Sequence, residues 1–292
     1  EPRLTLTEVF SHVVPDTFPI TGIAASREGL LVLWSRGRPY VMVGSGVEYR
    51  EVGAGILRNP IGVAVTSGDT LEVADAGRQE IVTLAGSRLL GARPYRLPLT
   101  PQAAVRSDGY WFFSATDSSL TTRILVVDPG GSVRSVYGSF RPSTAPPRPG
   151  ASLSPLDHGV LVTQTGPPFE ALRLGPDGRE VRISRPDTVA LDPYHDDKLL
   201  LRPLWVGMST LAVDGRYLRT FADARADRRV LFLYGEDGRL LRESTIDAPV
   251  AFAATVPGRQ LLVGVRHLGR QEVVGYEWRW RGAPRIHTEK NP

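Results

Sequence analysis

Apolar and polar residues alternate with a period of two through most of this chain. The clearest stretch is residues 57–84, LRNPIGVAVTSGDTLEVADAGRQEIVTL, where short polar turns separate three apolar runs. Alternation bounded by glycine and aspartate is typical of short antiparallel strands, and turns this short leave no room for a helix. The stretch therefore predicts a β-hairpin followed by a third strand.

The same order of strands and turns recurs six times along the chain. Six units of roughly 40–50 residues, each with about four strands, indicate a radial array of blades. We therefore predict an all-β chain that forms one six-bladed β-propeller with four-stranded antiparallel blades. The predicted blades are residues 19–56, 57–97, 98–147, 148–206, 207–247 and 248–288, and the glycines of their first hairpin turns are Gly29, Gly68, Gly109, Gly159, Gly215 and Gly258.

Repeat two resembles the repeat of NHL-type propellers. In that repeat a Pro-x-Gly-apolar-Ala-apolar strand leads through a hairpin to a Val-Ala-Asp strand, and Pro60, Gly62 and the triplet ending at Asp75 match this order. The resemblance implies that Asp75 and the following Arg78 stabilise a turn.

A ring of blades must also close, because an open last blade would expose the edge of a sheet. Residues 4–10 alternate like a strand but have no hairpin partner of their own, and Glu8 alone is off the pattern. We predict that this N-terminal strand supplies the fourth strand of blade six. Two insertions lengthen the connections between blades, a proline-rich one at 141–150 and a longer one at 185–207.

Composition narrows the classes of function. The net charge is +4, with arginines spread along the whole chain, so we expect a mixed-charge surface and no nucleic-acid partner. Cysteine is absent, which removes disulfides and thiolate chemistry, and no apolar run is long enough to predict a transmembrane segment. We interpret the start at Glu1 as a removed signal peptide or a trimmed chain, and expect a periplasmic or secreted protein.

The densest polar cluster lies in the second insertion. Three carboxylates and an imidazole fall close together there and are candidate metal ligands, but neither EF-hand spacing nor a zinc-like histidine pair is present, and a solvated loop is the favoured interpretation. We predict no cofactor. The candidate residues are Asp192, His195, Asp196 and Asp197.

The last strand carries the densest aromatic and arginine group. On a strand, Tyr276, Trp278 and Trp280 share one face while Arg279 and Arg281 share the other. The aromatic face either packs between blades or forms an interface, since Trp, Tyr and Arg are enriched at binding hot spots. The candidate partner-binding residues are Trp278, Arg279, Trp280 and Arg281.

No catalytic motif is recognisable, and the five histidines are scattered without a local partner. We therefore predict a non-catalytic binding or scaffold propeller that contacts protein subunits of a larger complex. The whole resembles extrinsic propeller-like subunits of bacterial membrane complexes, photosynthetic ones included, and a respiratory complex is an equal candidate. The alternative is a lactonase-like hydrolase or lyase acting at the central channel.

Overall fold

The chain forms a closed ring of six four-stranded antiparallel sheets, as expected from the sequence. This computed structural model describes residues 3–46, 48–119, 121–140, 151–165, 169–183, 193–195, 201–203, 205–223, 229–246 and 250–281. These residues form strands, turns and irregular segments, and they contain no helix that could cross a membrane. The all-β, six-bladed prediction is confirmed.

The first half of the chain contains the N-terminal strand and blades one to three. In each blade the first strand lines the centre of the ring and the fourth lies on its rim, because consecutive strands pair as neighbours. The strands are β1 (Arg3–Val13); β2 (Gly22–Ala25), β3 (Leu31–Trp34), β4 (Val41–Gly44) and β5 (Tyr49–Val52) in blade one; β6 (Pro60–Ser67), β7 (Thr70–Asp75), β8 (Glu80–Ala85) and β9 (Arg88–Pro94) in blade two; and β10 (Pro101–Ser107), β11 (Tyr110–Thr116), β12 (Thr122–Val127) and β13 (Val133–Phe140) in blade three.

The second half contains blades four to six and a small two-stranded sheet between blades four and five. The strands are β14 (Ala151–Pro155), β15 (Val160–Gln164), β16 (Ala171–Leu174) and β17 (Glu180–Ile183) in blade four; β18 (Pro193–His195) and β19 (Leu201–Pro203) in the small sheet; β20 (Trp205–Val213), β21 (Arg216–Asp223), β22 (Arg229–Tyr234) and β23 (Leu240–Ile246) in blade five; and β24 (Val250–Thr255), β25 (Leu261–His267) and β26 (Gln271–Arg281) in blade six.

The N-terminal strand closes the ring, as predicted. Strand β1 pairs antiparallel with β26, so the order in blade six is β1-β26-β25-β24. A β-bulge lies between Glu8 and Phe10. Glu8 is off the apolar pattern because its carboxylate has a charged partner: Glu8 Oε2 accepts a hydrogen bond from Arg266 Nη1 at 2.6 Å.

Arg266 of β25 also binds the carboxylate of Glu272 on β26, the strand that pairs with β1. Its Nη2 donates to Glu272 Oε2 at 2.7 Å, and Arg270 Nε donates to Glu272 Oε1 at 2.9 Å. The hydrogen bonds from Arg266 hold the pKa of Glu272 below its usual value. The Glu8 carboxylate is the main reason that the pKa of Arg266 is raised. A charged network therefore ties the N-terminal strand β1 to β25 and β26, which lie at the other end of the chain.

The hydrophobic core is divided into six clusters, one at each interface between neighbouring blades. Alternation puts one apolar face of each sheet against the blade before it and the other against the blade after it. At the closing interface the side chains of blade six, such as Val263 and Val273, pack on Leu31 and Leu33 of blade one. No blade buries both of its faces without its neighbours.

Three glycines of the last hairpin turns contact the preceding blade. A Cβ on Gly131 would lie 2.4 Å from Pro94 O, and one on Gly238 would lie 2.2 Å from Arg182 O. Gly178 likewise packs against Tyr137. All three have positive φ, between 78° and 88°, so both backbone conformation and space favour glycine there.

The Val-Ala-Asp strand of repeat two ends in a buried carboxylate. Asp75 Oδ2 accepts from Arg58 N at 2.7 Å, and Oδ1 accepts from the backbone N–H groups of Asn59, Gly77 and Arg78 at 3.0, 2.9 and 3.1 Å. The carboxylate thus joins the start of blade two to its second hairpin turn. The turn-stabilising role that the resemblance implies for Asp75 agrees with this geometry.

Candidate functional site

A central channel runs through the ring, with a volume of about 1250 Å³. The first strand of every blade lines it. Many of the lining residues are small, and their short side chains leave the channel open. Three of the lining residues, Ala24, Ala64 and Ala104, occupy corresponding strands of blades one to three. In these three blades the wall therefore offers methyl groups and backbone groups to the channel.

Charged side chains collect where the first hairpin turns surround one mouth of the channel. Arg259 Nη2 donates to Glu28 O at 3.1 Å, which ties the turn of blade six to that of blade one. Hydrogen bonding to its own backbone N–H is the main cause that lowers the pKa of Glu28. The charged and imidazole lining residues from these turns are Arg27, Asp157, His158, Asp214 and Arg259.

A histidine and an aspartate from neighbouring blades meet at this mouth. His158 Nδ1 lies 3.4 Å from Asp108 Oδ2, with side chains 75% and 52% exposed. Ser107 fixes the two turns, because its Oγ donates to Leu156 O at 2.5 Å and accepts from Gly159 N at 2.9 Å. The two turns therefore hold an accessible imidazole beside a carboxylate at the mouth of the channel.

Sequence reasoning missed this pair because the two residues are 50 positions apart. The expectation that His158 has no local partner is correct along the chain, but its partner lies in the next blade. One signal was available: Asp108-Gly109 and His158-Gly159 occupy the same first hairpin turn of blades three and four. Aligning the repeats places them side by side.

Most of the predicted metal cluster lies outside the described residues. Of its four members only His195 is described, at the end of β18, where it pairs with Leu201. Asp192, Asp196 and Asp197 are in the part that the structure does not describe. Within the described ranges, no three His, Asp or Glu side chains come together as metal ligands. The metal-binding role of the cluster stays a prediction.

Two aromatic residues of β26, Tyr276 and Trp278, pack between blades. Trp278 is only 4% exposed and belongs, with Tyr276, to the apolar cluster that joins blade five to blade six. Arg279 points the other way, is 68% exposed and donates to Glu277 Oε1 at 3.0 Å. Only the backbone pairing is described for Trp280 and Arg281. The sequence left open whether this face packs between blades or binds a partner, and Trp278 packs between blades. The partner-binding role of the strand stays a prediction.

Large apolar side chains are exposed mainly on the rim of the ring. Seven of the eight in the described residues lie on fourth strands of blades, and the eighth, Leu268, lies in a turn of blade six. Fourth strands are sheet edges, with backbone groups that no further strand of the blade pairs. The seven are Val9 and Val13 on β1, Leu89 and Leu90 on β9, Val136 on β13, and Leu240 and Leu241 on β23.

Comparison with known proteins identifies the fold. No family model matches the chain, and no curated protein is similar to it in sequence. Virginiamycin B lyase from Staphylococcus aureus is similar in structure, with 12% identity, a TM-score of 0.51, and coverage of 94% of this chain and 99% of that one.

Two further solved structures are similar over most of the chain. The β-propeller domain of Myceliophteria thermophila Cps50 (Swd1) has 11% identity and a TM-score of 0.51, covering 93% of this chain and 99% of that one. A chain of the nidogen–laminin complex has 12% identity and a TM-score of 0.50, covering 83% and 93%. At such low identity these likenesses show that the chain has a β-propeller fold.

Proposed function

We propose that this chain is a non-catalytic binding propeller that contacts other proteins through the rim of its ring. The observation that carries this proposal is the concentration of exposed apolar side chains on fourth strands. Burying apolar surface is worth about 25 cal/mol per Å², so such side chains are the part of a surface that gains most from being covered.

We further propose that the partners are subunits of a larger bacterial complex, and that the propeller is a membrane-extrinsic, periplasmic subunit of it. A photosynthetic or respiratory complex fits this role. Support comes from the fold alone: a chain of the nidogen–laminin complex is similar to this one over most of its length.

Retention on native membranes under salt tests this proposal. Exposed ion pairs contribute only about 0–1 kcal/mol each, and about 0.5 M salt screens them within several ångströms. A protein held by apolar contacts should therefore remain bound through that wash. Replacing Val9, Val13 and Val136 by serine should release it, whereas the control Leu268→Ser, an exposed leucine off the rim strands, should not. Equal retention of both variants would place the contact elsewhere.

The pair of His158 and Asp108 favours a second candidate function, a hydrolase or lyase acting at the channel mouth. An imidazole at 3.4 Å from a carboxylate is a candidate general base, and the channel offers room for a substrate beside it. The fold likeness to virginiamycin B lyase is compatible with it and shows no more than the fold.

A screen for turnover of lactones and esters tests this candidate. Turnover that is lost in His158→Gln, reduced in Asp108→Asn and retained in the control His12→Gln would support it. A metal-dependent, lactonase-like reaction would in addition be lost with a chelator and restored by added divalent ions. Turnover that survives His158→Gln would remove the pair from the chemistry.

A further inference from the structure

The same tripeptide, Arg-Leu-Leu, occurs at the start of two rim strands. Strand β9 starts with Arg88-Leu89-Leu90, and β23 is preceded by Arg239 and starts with Leu240-Leu241. In both blades the tripeptide directly follows the last hairpin turn. We call the first tripeptide the blade-two edge and the second the blade-five edge.

Both edges also share a local distortion. In blade two, Leu84 pairs with Leu89 and Thr83 with Gly91, which leaves Leu90 as the extra residue of a β-bulge. In blade five, Tyr234 pairs with Leu240 and Leu233 with Arg242, which leaves Leu241 as the extra residue. A bulge redirects side chains at a sheet edge. The leucines are 44% and 48% exposed at the blade-two edge and 40% and 54% exposed at the blade-five edge.

The two edges lie on opposite sides of the ring. The first strands contact one another in the order β2, β6, β10, β14, β20 and β24, and β24 contacts β2 again. Blades two and five are therefore three positions apart in either direction around six blades. A contact between the blade-two edge of one molecule and the blade-five edge of another would leave both outer edges available for further molecules.

The charges around the two edges are complementary. Residues 86–97 contain Arg88, Arg93 and Arg96 and no acidic residue. Residues 235–246 contain Glu236, Asp237 and Glu243 beside Arg239 and Arg242, so this stretch has a net charge of −1 (three acidic residues against two arginines). Asp237 already pairs with Arg239, and Arg93 of the other stretch pairs with Glu72. Glu236, Glu243 and Arg88 are the charges on which the contact depends. Pairing two blade-two edges would bring together two stretches whose only charges are arginines, and like charges disfavour such a contact. A blade-two edge facing a blade-five edge combines leucine contacts with opposite charge.

From this arrangement we infer that a second copy of this chain docks by its blade-five edge on the blade-two edge, so that propellers join side by side in rows. The contact is heterologous, since it uses two different surfaces, and the opposite placement of the edges makes the row open-ended. This self-association goes beyond the proposed contact with other proteins and does not depend on it.

Sedimentation velocity over rising protein concentration tests the inference with two variants. The unchanged protein should form dimers and then larger species. Leu89→Ser/Leu90→Ser lacks one edge and Leu240→Ser/Leu241→Ser lacks the other, so each should remain a monomer. Because each variant keeps the edge that the other lacks, an equal mixture should form dimers and nothing larger. The replaced leucines are exposed, so circular dichroism and the melting temperature should be unchanged.

Charge variants test the same contact without altering the leucines. Arg88→Glu and Glu243→Arg should each weaken association at low salt, and the double variant, which exchanges the two charges, should restore it. A protein that stays monomeric at every concentration would overturn the inference. So would continued self-association of Leu240→Ser/Leu241→Ser, since that result would mean contact between two blade-two edges. A mixture of the leucine variants that contains only monomers would overturn it as well.

Discussion

Asp75 and Arg219 are both fully buried, but their hydrogen bonding differs. The Asp75 carboxylate accepts four backbone N–H groups. Arg219 donates to Phe169 O and lies over the Phe221 ring, 4.7 Å from its centroid, while its Nε and Nη1 meet no acceptor in the described structure. Burial lowers the pKa of Arg219 to about 10, and the nearby Tyr234 hydroxyl acts in the opposite direction.

We expect Arg219→Met to leave stability unchanged or to raise it. Removing the guanidinium leaves Phe169 O without this donor, at a cost of about 1–3 kcal/mol. Removing a buried charge relieves a desolvation penalty of several kcal/mol, which is the larger effect. Urea unfolding measures the difference, with Arg216→Met, three residues earlier on the same strand and only partly buried, as the control. A clear loss of stability in Arg219→Met would mean that the guanidinium is compensated better than its described contacts indicate.

Glu272 should make ring closure sensitive to acid. Its pKa is lower in the folded chain, because of Arg266, than the value of about 4.3 expected when unfolded. A group with a lowered folded pKa contributes stability above its unfolded pKa, and this contribution is lost as pH falls through the folded pKa. The difference in melting temperature between the unchanged protein and Glu272→Gln should therefore be largest near neutral pH and shrink below about pH 4. Glu51→Gln, on the rim of blade one, is the matched control, and a difference independent of pH would contradict the assignment.

At the scale of elements, the closing strand β1 packs closely against its neighbour β26 at one glycine. The Phe10 ring of β1 lies over Gly275 of β26, where an added Cβ would lie 2.1 Å from Phe10 Cε1. The same ring reaches Gly46 in the last turn of blade one, at 3.2 Å from the position of a Cβ. Phe10 therefore links blade six to blade one, and the two glycines provide its space.

We expect Gly275→Ala to destabilise the protein by about 1–3 kcal/mol, as overpacking of a filled core does. The Phe10 ring must move, and it packs against a filled inter-blade cluster. Gly91→Ala, on the rim strand β9, is the control, because an added Cβ there meets nothing within 4 Å. Thermal unfolding of both variants separates this clash from a general effect of replacing a strand glycine. Similar melting temperatures for the two variants would show that Phe10 relocates without cost.

At the scale of the whole molecule, stability depends on closure of the ring. Each of the six apolar clusters is shared by two blades, so each blade contributes to two interfaces. Opening the ring at one point exposes the faces on both sides of the gap. The ring should therefore unfold cooperatively, in contrast to an open array whose end repeats unfold separately.

Deleting residues 1–10 should destabilise the whole ring. The deletion removes most of the ladder to β26 and the partly buried side chains of Leu4, Leu6 and Phe10. At about 1.5–3 kcal/mol for each fully buried side chain, the loss is several kcal/mol as an upper estimate. That is comparable with the roughly 5–15 kcal/mol of a typical domain. The denaturation midpoint measures the loss, and a peptide of residues 1–13 added in trans should restore it. An unchanged midpoint would contradict closure by β1.

The fold class was predictable from the sequence, because each signal for a strand or a turn lies within a few neighbouring residues. Alternation of apolar and polar residues gives the strands, and glycine in tight turns ends them, so the six four-stranded blades were predictable from short windows of sequence. The closing role of the N-terminal strand was predictable as well, since blade six contained only three clear strands. Membership of the NHL-type family stays a prediction, because a resemblance in one repeat does not extend to the others.

Only the tertiary structure decided which distant residues meet. Glu8 interrupts the apolar pattern of its strand because its carboxylate binds Arg266, more than 250 residues later in the chain. A β-bulge follows Glu8 in the same strand. The sequence allowed Trp278 to lie either at an exposed interface or between blades. Its packing against blade five places it between blades. His158 lies beside Asp108, and the blade-two edge lies opposite the blade-five edge, only because the blades form a ring. Distances between blades depend on closure of the whole ring, and no local pattern in the chain contains that information.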